Sequence, residues 1–183
     1  MTAYRFYTAT TLDGFIADEH DSLDWLLSQP EPSGGILDYN RFIAGIGAVV
    51  MGYTTYQWVL DHPEAQGDGP SPWPYEQPTF VFTHRELDPA ASNIRLLSGA
   101  PEAHRERLEA AADGRDVWIV GGGDLATQFA DAGMLDEIDV SIAPVTLGAG
   151  RPLFTGRYDL ELEEFGRSGA FLEARYRVAG RRQ

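Results

Sequence analysis

Apolar residues recur along the chain in two rhythms, one of period two and one close to helical spacing, and these divide it into strands and helices. Tyr4 to Thr11, rich in aromatic and β-branched residues, predicts a first strand; Leu12-Asp13-Gly14 predicts a turn, and Phe15-Ile16-Ala17 is apolar again. Asp18 to Asp24 is a polar, acidic loop ahead of Trp25-Leu26-Leu27, and the prolines and glycines of 29–35 exclude regular structure. Ile36 to Ala44 carries apolar residues at helical intervals and stops at Gly45 or Gly47. A second strand, Ala48 to Met51, runs into Gly52-Tyr53-Thr54-Thr55-Tyr56, which opens a helix through Leu60. Asp61 to Gln77 predicts a long surface loop, Thr79 to Thr83 a third strand, Ile94 to Leu97 a short one, and Pro101 a helix to about Ala112.

Val117 to Val120 is apolar and β-favouring, three glycines follow at 121–123, and Leu125, Ala126 and Phe129 then share one helical stripe. Strand, tight turn and helix are the reading. Ile138 to Ala143 alternates into another strand, Pro144 to Gly150 is a loop, and Leu160 to Phe165 with Phe171 to Val178 form an antiparallel pair. Elements alternate up to residue 140 and then close with antiparallel strands. The expected architecture is a single domain over 1–183, a three-layer α/β/α sandwich with a mixed, mainly parallel central sheet and a C-terminal antiparallel hairpin.

Three strand ends carry residues suited to an anionic ligand. Gly121, Gly122 and Gly123 keep side chains out of a ligand's way, and the helix that starts at Asp124 and Leu125 offers free N–H groups and a positive dipole end. Gly52 to Thr55 is a second such turn, and Thr83-His84-Arg85 ends a third strand where open α/β sheets hold ligands. Each has a plainer reading: a tight turn, capping by Thr54 or Thr55, and a solvated loop. If parallel neighbours bring the three ends to one edge, they form one extended groove for a nucleotide.

Composition narrows the partners. The formal net charge of −14 argues against nucleic acid and anionic membranes, which call for a basic face. Cysteine is absent, which removes disulfides, thiol nucleophiles and cysteine-held metals, and no metal site is expected. All the basic residues are arginine, whose planar fork suits phosphate. No apolar run of about eighteen residues or leader-like pattern is present, so a soluble cytoplasmic protein is expected.

The order of motifs resembles the dihydrofolate reductase superfamily, and more closely the reductase domain of the riboflavin-biosynthesis deaminase-reductase. Thr11-Leu12-Asp13-Gly14-Phe15-Ile16-Ala17 is similar to that family's S-L-D-G-x-I-A segment, and Val50 to Tyr56 to its M-G-R-x-T-Y-E turn. Val117 to Leu125 is similar to I-W-x-x-G-G-G-x-L, and Pro144 to Phe154 to P-x-x-L-G-x-G-x-P-L-F. The resemblance implies a pyridine-nucleotide reductase using NADPH. By position it sets Gly121, Gly122, Gly123, Asp124 and Leu125 along the pyrophosphate and nicotinamide, and Gly52, Thr54 and Thr55 on phosphate. It brings Thr83, His84 and Arg85 to the adenosine ribose, with Arg85 facing a 2′-phosphate, and Ala9 and Ile16 to the nicotinamide. Tyr53 stands where the family has arginine, so it can stack on adenine but cannot neutralise a phosphate. The resemblance also implies a homodimer.

Hydride transfer needs a proton source as well. Candidates are Asp13 in the first turn, Asp38 early in its helix, and Asp24; Ser141 aligns with a substrate-side hydroxyl of the family. Asp13 and Asp38 read equally well as a turn former and a helix-start acid. The leading reading is an NAD(P)H-dependent reductase acting on a small heterocycle, pterin-like or ribosylaminopyrimidine-like. A nucleotide-binding or sensing module without turnover is the alternative. A Rossmann dehydrogenase, with Gly121, Gly123, Ala126 and Asp139 as its fingerprint, ranks below both, because the motif sits late in the chain.

Overall fold

The computed structural model describes residues 1–30, 34–63 and 73–183. In chain order its strands are β1 (Tyr4–Thr11), β2 (Phe15–Ala17), β3 (Ile46–Gly52), β4 (Thr79–Phe82), β5 (Ile94–Leu97), β6 (Asp116–Gly121), β7 (Glu137–Ala143), β8 (Arg151–Pro152), β9 (Tyr158–Ser168) and β10 (Phe171–Arg181). The helices are α1 (Asp24–Leu27), α2 (Tyr39–Ala44), α3 (Tyr53–Asp61), α4 (Arg105–Ala112) and α5 (Gly123–Asp131). An eight-stranded sheet runs β5-β4-β3-β6-β1-β7-β10-β9, and β2 pairs with β8 in a separate small sheet. The six strands from β5 to β7 are parallel, while β10 and β9 are antiparallel additions.

Helices cover both faces, which is why the central strands are apolar almost throughout. On one face Leu108 and Ala112 of α4 and Leu125, Ala126 and Phe129 of α5 pack on Phe6, Val50, Val117 and Ile119. On the other, Phe42 of α2 and Tyr56 and Val59 of α3 pack on Val49, Met51, Val81 and Trp118. The architecture is the expected three-layer sandwich on a mixed, mainly parallel sheet.

Boundaries moved where local chemistry outweighs periodicity. The helix expected from Ile36 starts at Tyr39, because Asp38 is extended and its carboxylate accepts the Arg41 N–H at 2.7 Å. The helix expected from Pro101 opens as a 3₁₀ turn, Pro101–His104, before α4. The expected surface loop of 61–77 is corrected at both described ends: Asp61 belongs to α3, and Trp73 and Tyr75 are buried, 5 % and 7 % exposed. Their rings pack against Tyr56 and Trp118, with centroids 5.6 Å and 5.5 Å away. Residues 64–72 of that loop lie outside the described residues. The pairing of β2 with β8, which folds the 151–153 segment back onto the first turn, had no counterpart in the strand pattern.

Candidate active site

Parallel pairing decides where the loops gather. Gly52 lies opposite Phe82 and Met51 opposite Gly121, so β3, β4 and β6 end at one edge, with β1 on the far side of β6. From this edge the chain passes into α3 after Gly52, into α5 after Gly121, and into Thr83-His84 after Phe82. A groove of about 960 Å³ follows that edge, a size typical of cofactor and substrate clefts.

The turns singled out in the sequence converge here. Gly52, Tyr53, Thr54 and Thr55 line the groove from the β3–α3 turn, Thr83 and His84 from the end of β4, and Gly121, Gly122, Gly123, Asp124 and Leu125 from the β6–α5 turn. Ala9 and Ile16 line it from β1 and β2. Arg85 stands beside the lining, with its guanidinium 4.2 Å from the Tyr53 ring centroid. A cation is therefore present at the tyrosine after all, supplied from the next strand.

The two helix starts are open to the groove. Gly52 caps α3 and Gly122 caps α5, and as glycines neither has a side chain to accept a first-turn N–H, so the capping expected of Thr54 or Thr55 is not made. First-turn N–H groups are thus left to a ligand. A Cβ built on Gly52 comes no nearer than 3.9 Å to its surroundings, so that face is open. Gly123 has a different reason: its Cβ would lie 2.3 Å from the Pro152 carbonyl oxygen and 2.4 Å from that of Leu153. Glycine there lets the 152–153 backbone close on α5. Thr127 holds the closure, its hydroxyl accepting the Thr155 N–H at 3.0 Å.

Aromatic rings also wall the groove. Tyr7, Trp58, Tyr75 and Trp118 line it. Tyr7 stacks on Phe42 at 4.3 Å, and the Trp118 indole N–H donates to the Tyr7 carbonyl at 3.1 Å, so the wall is fixed before any ligand arrives. Burial pushes the Tyr7 hydroxyl up to about 12, which keeps it protonated and a hydrogen-bond donor at neutral pH. Tyr7, Trp58 and Trp118 were missed in the sequence because their apolar neighbours mark them simply as core, and Tyr75 because the prolines around it point to a surface loop.

The acids proposed for proton transfer sit elsewhere. Asp38 is spent on the α2 cap and is exposed. Asp24 lies in the first turn of α1 and does not line the groove. Ser141 is buried in β7 directly across from Ala9, one strand behind the lining. Asp139, the acid of the Rossmann reading, is wholly buried between Arg5 and Arg175, at 2.6 Å and 2.7 Å. It cannot reach a ribose, and that reading is withdrawn.

Asp13 ties two loops together. Its carboxylate accepts the Thr11 hydroxyl and the N–H groups of Leu147 and Gly148, and these bonds, the Thr11 one foremost, hold it below its ordinary 3.8. A depressed acid stabilises fully above its ordinary value and loses that contribution as pH falls through the lower folded one. Amide exchange at Leu147 and Gly148, corrected for intrinsic rates, is expected to rise below pH about 4. In Asp13→Asn it should already be raised at neutral pH and show no acid step.

The fold and the groove together define a dihydrofolate reductase-like protein with two glycine-opened helix starts on one groove. Residues 5–167 match the RibD C-terminal domain, and the chain belongs to that family. It is 31% identical over 150 residues to the uncharacterized protein YwjB of Bacillus subtilis, covering 81% of this chain and 80% of that one. A putative riboflavin biosynthesis protein from Shewanella sp. PV-4 superposes with a TM-score of 0.79 at 26% identity, covering 96% and 98% of the two chains. Dihydrofolate reductase from Enterococcus faecalis, in a complex with NADP(H), shares the fold at a TM-score of 0.55 and 13% identity, covering 97% and 96%.

Proposed function

We propose that this chain is a cytoplasmic NADPH-dependent reductase that delivers hydride to a small planar heterocycle, pterin-like or ribosylaminopyrimidine-like. The observation that carries the reading is the convergence of two glycine-opened helix starts on one groove that aromatic rings also line. The family's reductase character supports it.

In this reading the first turns of α3 and α5 hold the pyrophosphate, Tyr53 stacks on adenine, and Arg85 turns from the Tyr53 ring to the 2′-phosphate. Ala9 and Ile16 flank the nicotinamide, which supplies the hydride when bound. Tyr7, Trp118 and Tyr75 orient the flat acceptor, with the Tyr7 hydroxyl fixed by its own bond to the Leu37 carbonyl at 3.4 Å. Ser141, behind Ala9, supports the same region from β7.

Titration followed by tryptophan fluorescence tests the cofactor half. NADPH is expected to bind more tightly than NADH, and Arg85→Ala to weaken NADPH about ten-fold while leaving NADH nearly unchanged. Equal affinities in the unmutated protein would remove the 2′-phosphate site, and tight binding with no turnover across pterin, pyrimidine and quinone acceptors would favour the sensing module.

The chain is also proposed to form a homodimer through its hairpin. Leu160, Leu162, Phe165 and Leu172 are exposed together on β9 and β10, Phe165 by 68 %, at the edge of the sheet. Sedimentation at micromolar concentration should give a dimer that Phe165→Glu converts to monomer.

A further inference from the structure

The aspartates and arginines that line the groove, among the described residues, are Asp21, Asp124 and Arg151. Asp124 belongs to the first turn of α5, the turn proposed for the cofactor's phosphates. Asp21 and Arg151 stand elsewhere: β8 pairs Arg151 with Ala17 of β2, which follows β1, and Ile16, Leu23 and Leu26 line the groove with them. A charge carried into this end by an acceptor meets that pair and its neighbours.

The single arginine there is more than matched by acids. The Asp21 carboxylate takes the Arg151 guanidinium edge-on, with Nε to Oδ1 at 2.6 Å and the terminal nitrogen to Oδ2 at 3.1 Å. That bond foremost, and then the charges of Asp21, Asp18 and Glu19, hold the guanidinium above its ordinary range. Three carboxylates therefore face one arginine. The turn that carries them is set by its own hydrogen bonds: the Asp18 carboxylate accepts the N–H groups of His20 and Ser22, each at 2.8 Å, and Asp21 donates its N–H to the Asp18 carbonyl at 3.2 Å. Those bonds, the one from Ser22 foremost, hold Asp18 below its ordinary value, so it is ionised at neutral pH. A ligand carboxylate or phosphate would have to displace Asp21 and still lie beside Asp18 and Glu19, and juxtaposed like charges are costly. The aromatic rings of Tyr7, Tyr75 and Trp118 and the apolar Ile16, Leu23 and Leu26 suit a flat ring that carries no charge.

We propose that the reducible acceptor is an uncharged planar heterocycle, and that the acidic turn of 18–21 turns away heterocycles bearing a carboxylate or phosphate. The inference rests on the reductase reading and narrows its substrate class: of pterin-like and ribosylaminopyrimidine-like acceptors, the groove takes those without an anionic substituent. Selection of this kind is made by penalising the wrong ligand as much as by fitting the right one.

The test is calorimetric titration of the full chain, saturated with NADP+ so that no turnover occurs, at about pH 7. Two matched pairs serve as probes, pterin against pterin-6-carboxylate and uridine against uridine 5′-phosphate. Expected is saturable binding by the uncharged member of at least one pair, with its anionic counterpart at least about five-fold weaker. Arg151 and Asp21 are 54% and 36% exposed, so salt reaches them, and about 0.5 M salt should shrink the gap to about two-fold. Glu19→Gln combined with Asp21→Asn should do the same: Glu19 is exposed, and asparagine keeps the φ of 64 at position 21. A smaller gap in the unmutated protein, or tighter binding by the anionic member, overturns the inference. A gap that salt leaves unchanged comes from shape and overturns it too, as does one that persists in the folded double variant. Binding of NADP+ without binding of any probe overturns the substrate class. If neither NADP+ nor NADPH binds, the reductase reading fails instead, and the same titrations of the free protein still read the charge selection.

Discussion

Gly52→Leu is expected to lower NADPH affinity at least about thirty-fold, some 2 kcal/mol, while the protein stays folded. Gly52 has φ −80 and ψ 166, an extended conformation open to any residue, so no backbone penalty accompanies the change. The added side chain starts in open space, with the Gly121 carbonyl oxygen at 3.9 Å as its nearest neighbour, and projects where the phosphates are proposed to lie. Fluorescence titration gives the affinity and thermal unfolding gives the control. An unchanged NADPH affinity in a folded Gly52→Leu protein would move the phosphates away from the β3–α3 turn.

Asp139→Ala should destabilise the protein by about 3 kcal/mol, with no direct effect on the groove. Asp139 is fully buried and bridges Arg5 and Arg175 across β1, β7 and β10. Removing it leaves two cations facing each other, while Glu137, at 3.1 Å from Arg5 and 3.7 Å from Arg175, compensates only in part. The arginines are 17% and 26% exposed, so water relieves some of the cost and the expected value lies at the lower end for a broken buried pair. For a chain of this length the melting temperature should drop by roughly 6–12 °C. A drop of less than about 2 °C would mean that the arginines find water or Glu137 without cost.

The glycine turns were legible in the sequence because their signal is local. A buried parallel strand must be apolar, the turn after it must be small, and the helix beyond it must begin, so Val117 to Phe129 states its own structure. Val49 to Thr55 does the same more faintly. The aromatic wall is not local: Tyr7, Tyr75 and Trp118 become a surface only when β1, β6 and the segment after the 61–72 stretch are brought together. The prolines around Trp73 and Tyr75 pointed to a surface loop, yet two large aromatic residues so close together were a signal that the chain returns to the core there. Asp38 and Asp13 carried two readings each, and their hydrogen bonds follow the plainer one: before a helix and inside a turn, their oxygens go to backbone N–H groups. Arg151 and Asp21 are 130 positions apart and had no shared pattern to reveal them.

The close approach of the 152–153 carbonyls to Gly123 has one more consequence. The first turn of α5 is roofed by a segment that arrives only after β7, and that segment is pinned in turn by β2 and Thr127. The early and late parts of the chain therefore complete one groove lining between them.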